Sequence, residues 1–153
     1  MGQPALGQLA QPGSFLPFGE EAEAADMLWD MAPQLSLLPR QFETPRARVH
    51  YLALWLDHSY ESVHHSDHPQ HVRLQRFTPG QLSNVKHFYW AADAAYDFGV
   101  FVHAVTAVYQ AADALSKPFR GWSLDEAVAY DWKQWRCDAA GVAFGRYLGR
   151  RSV

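Results

Sequence analysis

Apolar positions recur along most of this chain at intervals of three and four residues, the spacing of one face of an α-helix. The pattern predicts five helices, over residues 20–31, 46–60, 79–97, 100–116 and 123–149. No useful stretch alternates between apolar and polar residues, so no strand is predicted. The sequence therefore predicts an all-α fold, a compact bundle of about five helices that forms a single domain over residues 20–153.

Local signals set the predicted helix boundaries. Pro33 is expected to end the first helix, and Thr78 is expected to cap a helix that starts at Pro79. Ser123 and Glu126 form a capping box, in which each side chain bonds the backbone N–H near the other. The histidine-rich segment 61–78 is predicted to be a loop, in which Pro69 would interrupt any helix.

Residues 1–19 are predicted to form an extended N-terminal arm that precedes the helical domain. Such a composition cannot pack a core by itself, so an ordered arm must lie on its own domain or on a neighbouring molecule. The arm is punctuated by Pro4, Gly7, Pro12, Gly13, Pro17 and Gly19.

Composition narrows the class of protein. The 153 residues fit one domain, and six tryptophans make the chain rich in large aromatic side chains. A net charge of −3 gives no indication of nucleic-acid binding. Cys137 is the only cysteine, which excludes an intrachain disulfide and indicates an inert, buried thiol.

Location is judged from the start of the chain and from its most apolar segment. Residues 1–19 lack the basic and apolar regions of a signal peptide, so a cytoplasmic location or one inside a particle is expected. The segment 98–115 is the most apolar, but it carries His103, Gln110 and Asp113. A membrane span is therefore not expected.

The fourth predicted helix is apolar almost all round, and we expect it to be buried on most sides. Its polar residues His103, Thr106, Gln110 and Asp113 fall at i, i+3, i+7 and i+10, so they share one narrow stripe. Two interpretations stay open. The stripe faces solvent, or it forms an internal polar network with partners on other helices, including Asp131.

The fifth predicted helix places Asp131 and Asp138 on one face, because they are seven residues apart. Gly141, Gly145 and Gly149 continue this series. Each glycine in a helix interior costs about 1 kcal/mol of stability. Glycines at this spacing usually allow close contact with another helix. We therefore expect all three to pack against a neighbouring helix and Asp138 to need a buried partner.

The third predicted helix carries His87 beside a face of small residues, Ala91, Ala94 and Ala95. A single helical histidine is more often structural than catalytic. The alternative here is a site in which His87 acts as a general base or a metal ligand, because carboxylates are available on two other helices.

Two motifs in residues 80–149 resemble known bacterial families. Asn84-Val-Lys-His87-Phe-Tyr-Trp90, followed by Gly99, resembles the Asn-x-x-Arg-His-Ala-Tyr-Trp helix of C-terminal domains in bacterial polymorphic toxins. Asp131 followed by Cys137-Asp138-Ala-Ala-Gly141 is similar to the end of those domains. It is also similar to the Asp-Ala-x-Gly ending of a small bacterial lipoprotein family of unknown function.

The resemblance implies a bacterial or phage protein with a hydrolase-like site at His87, Asp113 and Asp138. The chain departs from the pattern at Gln110, where the family has a glutamate. A glutamine cannot serve as a carboxylate base, so the departure favours a buried polar network over an active centre.

The histidine-rich loop offers a separate hypothesis. His64, His68 and His71 have ligand-like separations, and neutral imidazoles are common zinc ligands. The alternative is a solvated, pH-responsive loop. Apart from zinc at this loop, no cofactor is expected.

Two functions remain open. In the first, favoured here, the chain is a non-enzymatic structural or accessory subunit of a larger assembly, such as a virion or multiprotein particle. It would dock on other protein subunits through its N-terminal arm and aromatic surface. In the second, it is a hydrolase-like domain or a degenerate form of one, toxin- or envelope-related, whose substrate the sequence does not identify.

Overall fold

The computed structural model describes residues 10–35 and 44–151, and this part of the chain is helical with no strand. The all-α prediction is confirmed. Six α-helices follow in order: α1 Gly19–Leu35, α2 Pro45–Ser59, α3 Pro69–Leu74, α4 Pro79–Phe98, α5 Phe101–Ser116 and α6 Leu124–Arg151. Short 3₁₀ turns occupy Pro12–Phe15, Val63–His65 and Lys117–Arg120.

The bundle is built around the contact between α4 and α6. A Cβ at Gly141 would lie 2.1 Å from the carbonyl oxygen of Phe88, and one at Gly145 would lie 2.2 Å from that of Ala92. No side chain fits at either position, so the two helices touch through their backbones. Gly149 meets nothing within 4 Å and is not part of this contact, contrary to the sequence prediction.

The main core lies where α1, α2, α4 and α6 meet. Phe88 stacks on Phe144 with ring centroids 5.6 Å apart, and Trp29 meets the edge of the same ring at 5.6 Å. The buried Tyr89 hydroxyl donates a hydrogen bond to the Ala25 carbonyl at 2.6 Å. Burial of large aromatic side chains is thus the chief apolar contribution to this core.

Helix α1 continues past Pro33, which lies in its last turn, so the predicted end of this helix is wrong. A proline lacks the N–H that would bond the carbonyl four residues earlier, here that of Trp29. That carbonyl accepts a hydrogen bond from Arg48 Nη1 at 2.7 Å instead. A long-range bond from α2 therefore makes the helical proline tolerable.

Local capping behaves as predicted at two helix starts. Thr78 accepts from the Gln81 N–H and the Gln81 side chain accepts from the Thr78 N–H. Ser123 and Glu126 make the corresponding pair before α6.

The predicted loop 61–78 is partly wrong, because it contains a 3₁₀ turn and α3. Pro69 starts that helix rather than interrupting one, and the His68 side chain caps it by accepting from the Gln70 N–H.

The described part of the N-terminal arm lies on its own domain. The Gly13 N–H donates to Asp26 Oδ1 at 2.7 Å, and a Cβ at Gly13 would lie 2.4 Å from the Ala22 carbonyl oxygen. Phe15 packs on Phe144 and Tyr147. Residues 10–18 therefore bind α1 and α6, whereas the predicted arm over residues 1–9 lies outside the described residues.

Helix α5 lies at the edge of the bundle, packed on α6 and less extensively on α4. Its buried residues are Val102, Thr106, Gln110 and Ala114, one narrow stripe. The expectation that this helix is buried on most sides is wrong, because its apolar residues face outward. We attribute this orientation of α5 to the adjoining helices, because they offer polar partners to its polar stripe.

Candidate functional site

The inward side of α5 is the polar side predicted from the sequence. Thr106 and Gln110 are only 2 % and 4 % exposed. The Thr106 hydroxyl donates to the His103 carbonyl at 3.2 Å, while the His103 side chain stays half-buried. Thr106 and Gln110 thus lie inside the protein, and His103 contributes a backbone acceptor to the stripe.

One polar cluster joins α4, α5 and α6. Asp138 Oδ1 lies 3.3 Å from His87 Nδ1, and Asp138 Oδ2 accepts a hydrogen bond from Gln110 Nε2 at 3.1 Å. The Asp138 side chain is 1 % exposed and that of His87 is 17 % exposed. A carboxylate is therefore held between an amide that donates to it and an imidazole that can do so.

Two buried acceptors in this cluster lack a hydrogen bond. The 3.3 Å contact is longer than an ordinary N–H···O bond, and Asp138 Oδ1 has no well-aligned donor. Gln110 Oε1 also has none. A buried acceptor without a donor costs roughly 1–3 kcal/mol, so each of these two groups lowers the stability of the fold.

His87 and Asp138 line a pocket of about 370 Å³. Its walls are mostly apolar or aromatic, and Thr106 adds a hydroxyl. The other lining residues are Ala53, Asp57, Lys86, Trp90, Val105 and Tyr109. This combination of a concave apolar space and a few converging polar groups is typical of small-ligand sites.

A second polar cluster lies two turns earlier on α6. Lys117 Nζ donates to Asp113 and, at 2.7 Å, to Asp131. Arg120 also donates to Asp113, at 3.2 Å. The structure thus places Asp113 with Asp131, so the predicted set of His87, Asp113 and Asp138 is divided between two clusters.

The pKa shifts in the second cluster follow from burial and from Lys117. Burial is the largest effect on Asp113 and acts to raise its pKa, but the hydrogen bond and charge of Lys117, with hydrogen bonds from Asp131 and Arg120, together place the pKa below its ordinary value. Burial also raises the pKa of Asp131, and there the effect of Lys117 does not reverse it. Lys117 itself has a raised pKa, because its bonds to both carboxylates outweigh its own burial.

Sequence reasoning missed the buried cation. Lys117 lies four residues after Asp113, the spacing of a helical ion pair, and that spacing was the available signal. A second buried charge was also missed. Glu21 is 1 % exposed and accepts hydrogen bonds from Lys133 Nζ at 2.7 Å and Asn84 Nδ2 at 3.1 Å. Its partners are remote in sequence, so no local pattern indicates them.

Burial raises the pKa of Cys137 to about 12, with smaller contributions from Glu21 and Asp138. The thiol is free and buried. It is thus neutral and inaccessible at physiological pH.

The three histidines proposed as metal ligands serve other purposes. His64 Nε2 bonds the Phe77 carbonyl at 2.6 Å, and His68 caps α3. His71 packs on Trp55 with centroids 5.7 Å apart, and burial followed by the charge of His68 lowers its pKa. Over the described ranges, no group of three His, Cys, Asp or Glu side chains could hold a metal ion.

An extensive apolar surface lies on the outer side of α5 and continues onto α6. Among the described residues fifteen large apolar side chains are exposed, and twelve of them lie between positions 98 and 132. We call these twelve the α5–α6 apolar face: Phe98, Val100, Phe101, Val105, Val108, Tyr109, Leu115, Phe119, Trp122, Leu124, Val128 and Trp132.

A groove of about 410 Å³ joins the two helices of this face. Leu115, Val128 and Trp132 line it together with three small residues of α5, Ala107, Ala111 and Ala114, while Gln110, Asp131 and Trp135 complete the lining. The small residues leave the groove open and the tryptophans give it an aromatic wall. Its shape therefore suits an inserted apolar side chain.

Comparison with known proteins adds no family to this description. No family model, curated protein or solved structure matches the chain. Within residues 10–35 and 44–151, no helix combines the length and the apolar character that crossing a membrane requires.

Proposed function

We propose that this protein is an assembly subunit, in which two copies of the chain pair through the α5–α6 apolar face. One observation carries the proposal: α5 buries its polar side and exposes its apolar side. An isolated helix at the edge of a domain normally does the reverse. The arrangement is favourable when a partner covers the outer side.

The size of the face supports a specific interface. An aromatic side chain buries roughly 150–250 Å², so the six partly exposed aromatic residues alone offer about 800 Å². A standard interface buries about 800 Å² on each partner, whereas the largest apolar patch of a typical monomer is about 300–600 Å². The face is therefore large enough for a stable dimer.

Charge and shape support a second copy as the partner. Residues 99–112, the α5 part of the face, contain no Asp, Glu, Lys or Arg, so two copies can bring this part together without like-charge repulsion. Phe119 is 93 % exposed and lies in the turn Lys117–Arg120, which joins the two helices that line the groove. A two-fold interface requires such a projection and such a recess on one surface.

A lipid surface is a poorer match for this face. Helices that lie on membranes carry cations beside their apolar side. Here the exposed charged residues along the face include three acids, Asp97, Asp125 and Glu126, and one cation, Arg120, and the chain carries a net charge of −3. Anionic lipid would therefore repel the surroundings of the face.

The described part of the arm is not the proposed docking surface. Residues 10–18 are occupied by contacts with α1 and α6. The aromatic surface predicted to dock is instead the α5–α6 apolar face, and the resulting dimer would be the building unit of any larger assembly.

Val108→Asp tests the proposal. Val108 is 71 % exposed, so a carboxylate there costs the monomer little, but it would be desolvated without a partner in the dimer. We expect light scattering to give a dimer for the wild type and a monomer for Val108→Asp, with both retaining the same helical circular dichroism.

Val72→Asp is the matched control. Val72 is 50 % exposed but belongs to α3, outside the face. This variant should remain dimeric. A Val108→Asp protein that dimerises as well as the wild type would contradict the proposal, and so would equal loss of dimer in both variants.

A further inference from the structure

The pocket at His87 has a chemistry of its own, independent of the apolar face. We infer that it binds a small ligand with a flat apolar body and an O–H or N–H group, which donates its hydrogen to Nε2 of His87. The inference rests on three features: the orientation of the imidazole, the walls of the pocket and the unpaired acceptors below it.

The orientation of His87 defines which of its nitrogens meets the ligand. Nδ1 faces the Asp138 carboxylate at 3.3 Å, and a carboxylate partner favours the tautomer with hydrogen on Nδ1. Nε2, at the other edge of the ring, is then left as an acceptor. Gln110 fixes Asp138 from the opposite side, so the carboxylate keeps its place beside the ring.

The walls of the pocket define the body of the ligand. Trp90 and Tyr109 provide aromatic surfaces, and Val105 and Ala53 add aliphatic ones. The volume of about 370 Å³ falls within the range of small-ligand sites. Lys86 contributes its stem, because its ammonium group lies over the Tyr60 ring at 4.3 Å. The Lys86 ammonium is therefore not aimed into the pocket, which also has the Asp57 carboxylate on its lining, so an anionic ligand is disfavoured.

The unpaired acceptors point to a ligand that brings a hydrogen-bond donor. Asp138 is 99 % buried, lines the pocket and leaves Oδ1 without a well-aligned donor. When a ligand hydrogen bonds Nε2, the imidazole becomes more acidic at Nδ1 and its bond to Oδ1 strengthens. A donor on the ligand thus forms a hydrogen bond with Nε2 and strengthens the one between Nδ1 and Asp138 Oδ1.

The same geometry permits proton transfer. If the ligand group is acidic enough, its proton moves to Nε2, which gives a ligand anion and an imidazolium. Asp138 then stabilises the imidazolium, as a carboxylate does for a general-base histidine. This is the chemistry that a hydrolase-like function would require.

The pocket is separate from the proposed dimer contact. Only Val105 and Tyr109 belong to both the pocket and the α5–α6 apolar face. The ligand can therefore be tested on the Val108→Asp variant as well as on the wild type. Failure of dimerisation would leave the ligand test unaffected.

The test uses 4-nitrophenol, which has a flat ring and an acidic hydroxyl and forms a coloured phenolate. Titration followed by absorbance and by the ¹⁵N resonances of His87 should show saturable binding that shifts Nε2. His87→Leu, which removes the acceptor, should weaken binding by about tenfold or more, the effect of losing one good hydrogen bond. Nitrobenzene, which lacks the donor, should bind at least about tenfold more weakly to the wild type.

His50→Leu is the matched control, because His50 also pairs with a carboxylate, Asp93, at 3.0 Å but on an exposed surface. Binding by this variant should equal that of the wild type. Equal affinity for nitrobenzene and 4-nitrophenol would overturn the inference. So would His87 resonances that do not move at saturation, a result that needs no variant to fold.

Discussion

Gln110 shows how one residue changes the meaning of a site. In the motif resemblance, Gln110 stands where a glutamate is expected. Its amide, however, supplies a donor to Asp138 that an ionised glutamate lacks. A glutamate there would place two carboxylates in one buried site. Gln110 therefore gives Asp138 a hydrogen bond where a glutamate would place a second buried carboxylate.

Asp26 gives a prediction at the same scale. Burial raises its pKa, although the Gly13 N–H acts to lower it and Asp30 to raise it. The folded protein therefore binds a proton more readily than the unfolded chain. It follows that stability contributed by this group rises as pH falls from neutrality through the folded pKa.

Asp26→Asn removes this titration while keeping a side-chain oxygen for Gly13. We expect urea unfolding to show a wild type that gains stability relative to the variant as pH falls from 7 toward 3.8, the ordinary pKa of an aspartate. A wild type that loses stability relative to the variant, or that keeps a constant difference from it, over this interval would show that the folded pKa is not raised.

At the scale of the elements, the contact between α4 and α6 depends on two glycines. Gly141→Ala and Gly145→Ala each place a methyl group against a backbone carbonyl, which cannot move as a flexible side chain would. We expect each variant to lose about 1–3 kcal/mol or more in urea unfolding. The two helices would have to separate to admit the methyl group.

Gly149→Ala provides the comparison on the same helix. Its added methyl group meets nothing, so only the helix preference of alanine acts, with a gain of up to about 1 kcal/mol. If all three variants changed stability equally, the close approach of α4 and α6 would not be the reason for these glycines.

Sequence reasoning succeeded where short-range rules decide and failed where distant partners decide. The capping pairs at Thr78 and Ser123 involve residues three positions apart, so their helix starts were predictable. The end of α1 depended on Arg48, which no local rule connects with Pro33. The sequence placed His87 and Asp138 in one candidate site, and the structure brings them together. That Asp113 instead pairs with Lys117 depends on how α5 packs on α6, which no local pattern indicates.

At the scale of the whole molecule, α5 was the element whose outward side could not be predicted. Its periodicity marks a polar stripe and an apolar remainder, and the usual rule turns the apolar part inward. The polar groups of α4 and α6 reverse that rule, and the reversal produces the α5–α6 apolar face. The fold thus pairs Gln110 with Asp138 inside the bundle and leaves an apolar surface outside.

The most direct test of this account is sedimentation equilibrium of the wild-type chain across micromolar to submillimolar concentrations. The account predicts a reversible shift to twice the mass of the 17.3 kDa chain as concentration rises. A single species of 17.3 kDa across the whole range would contradict it.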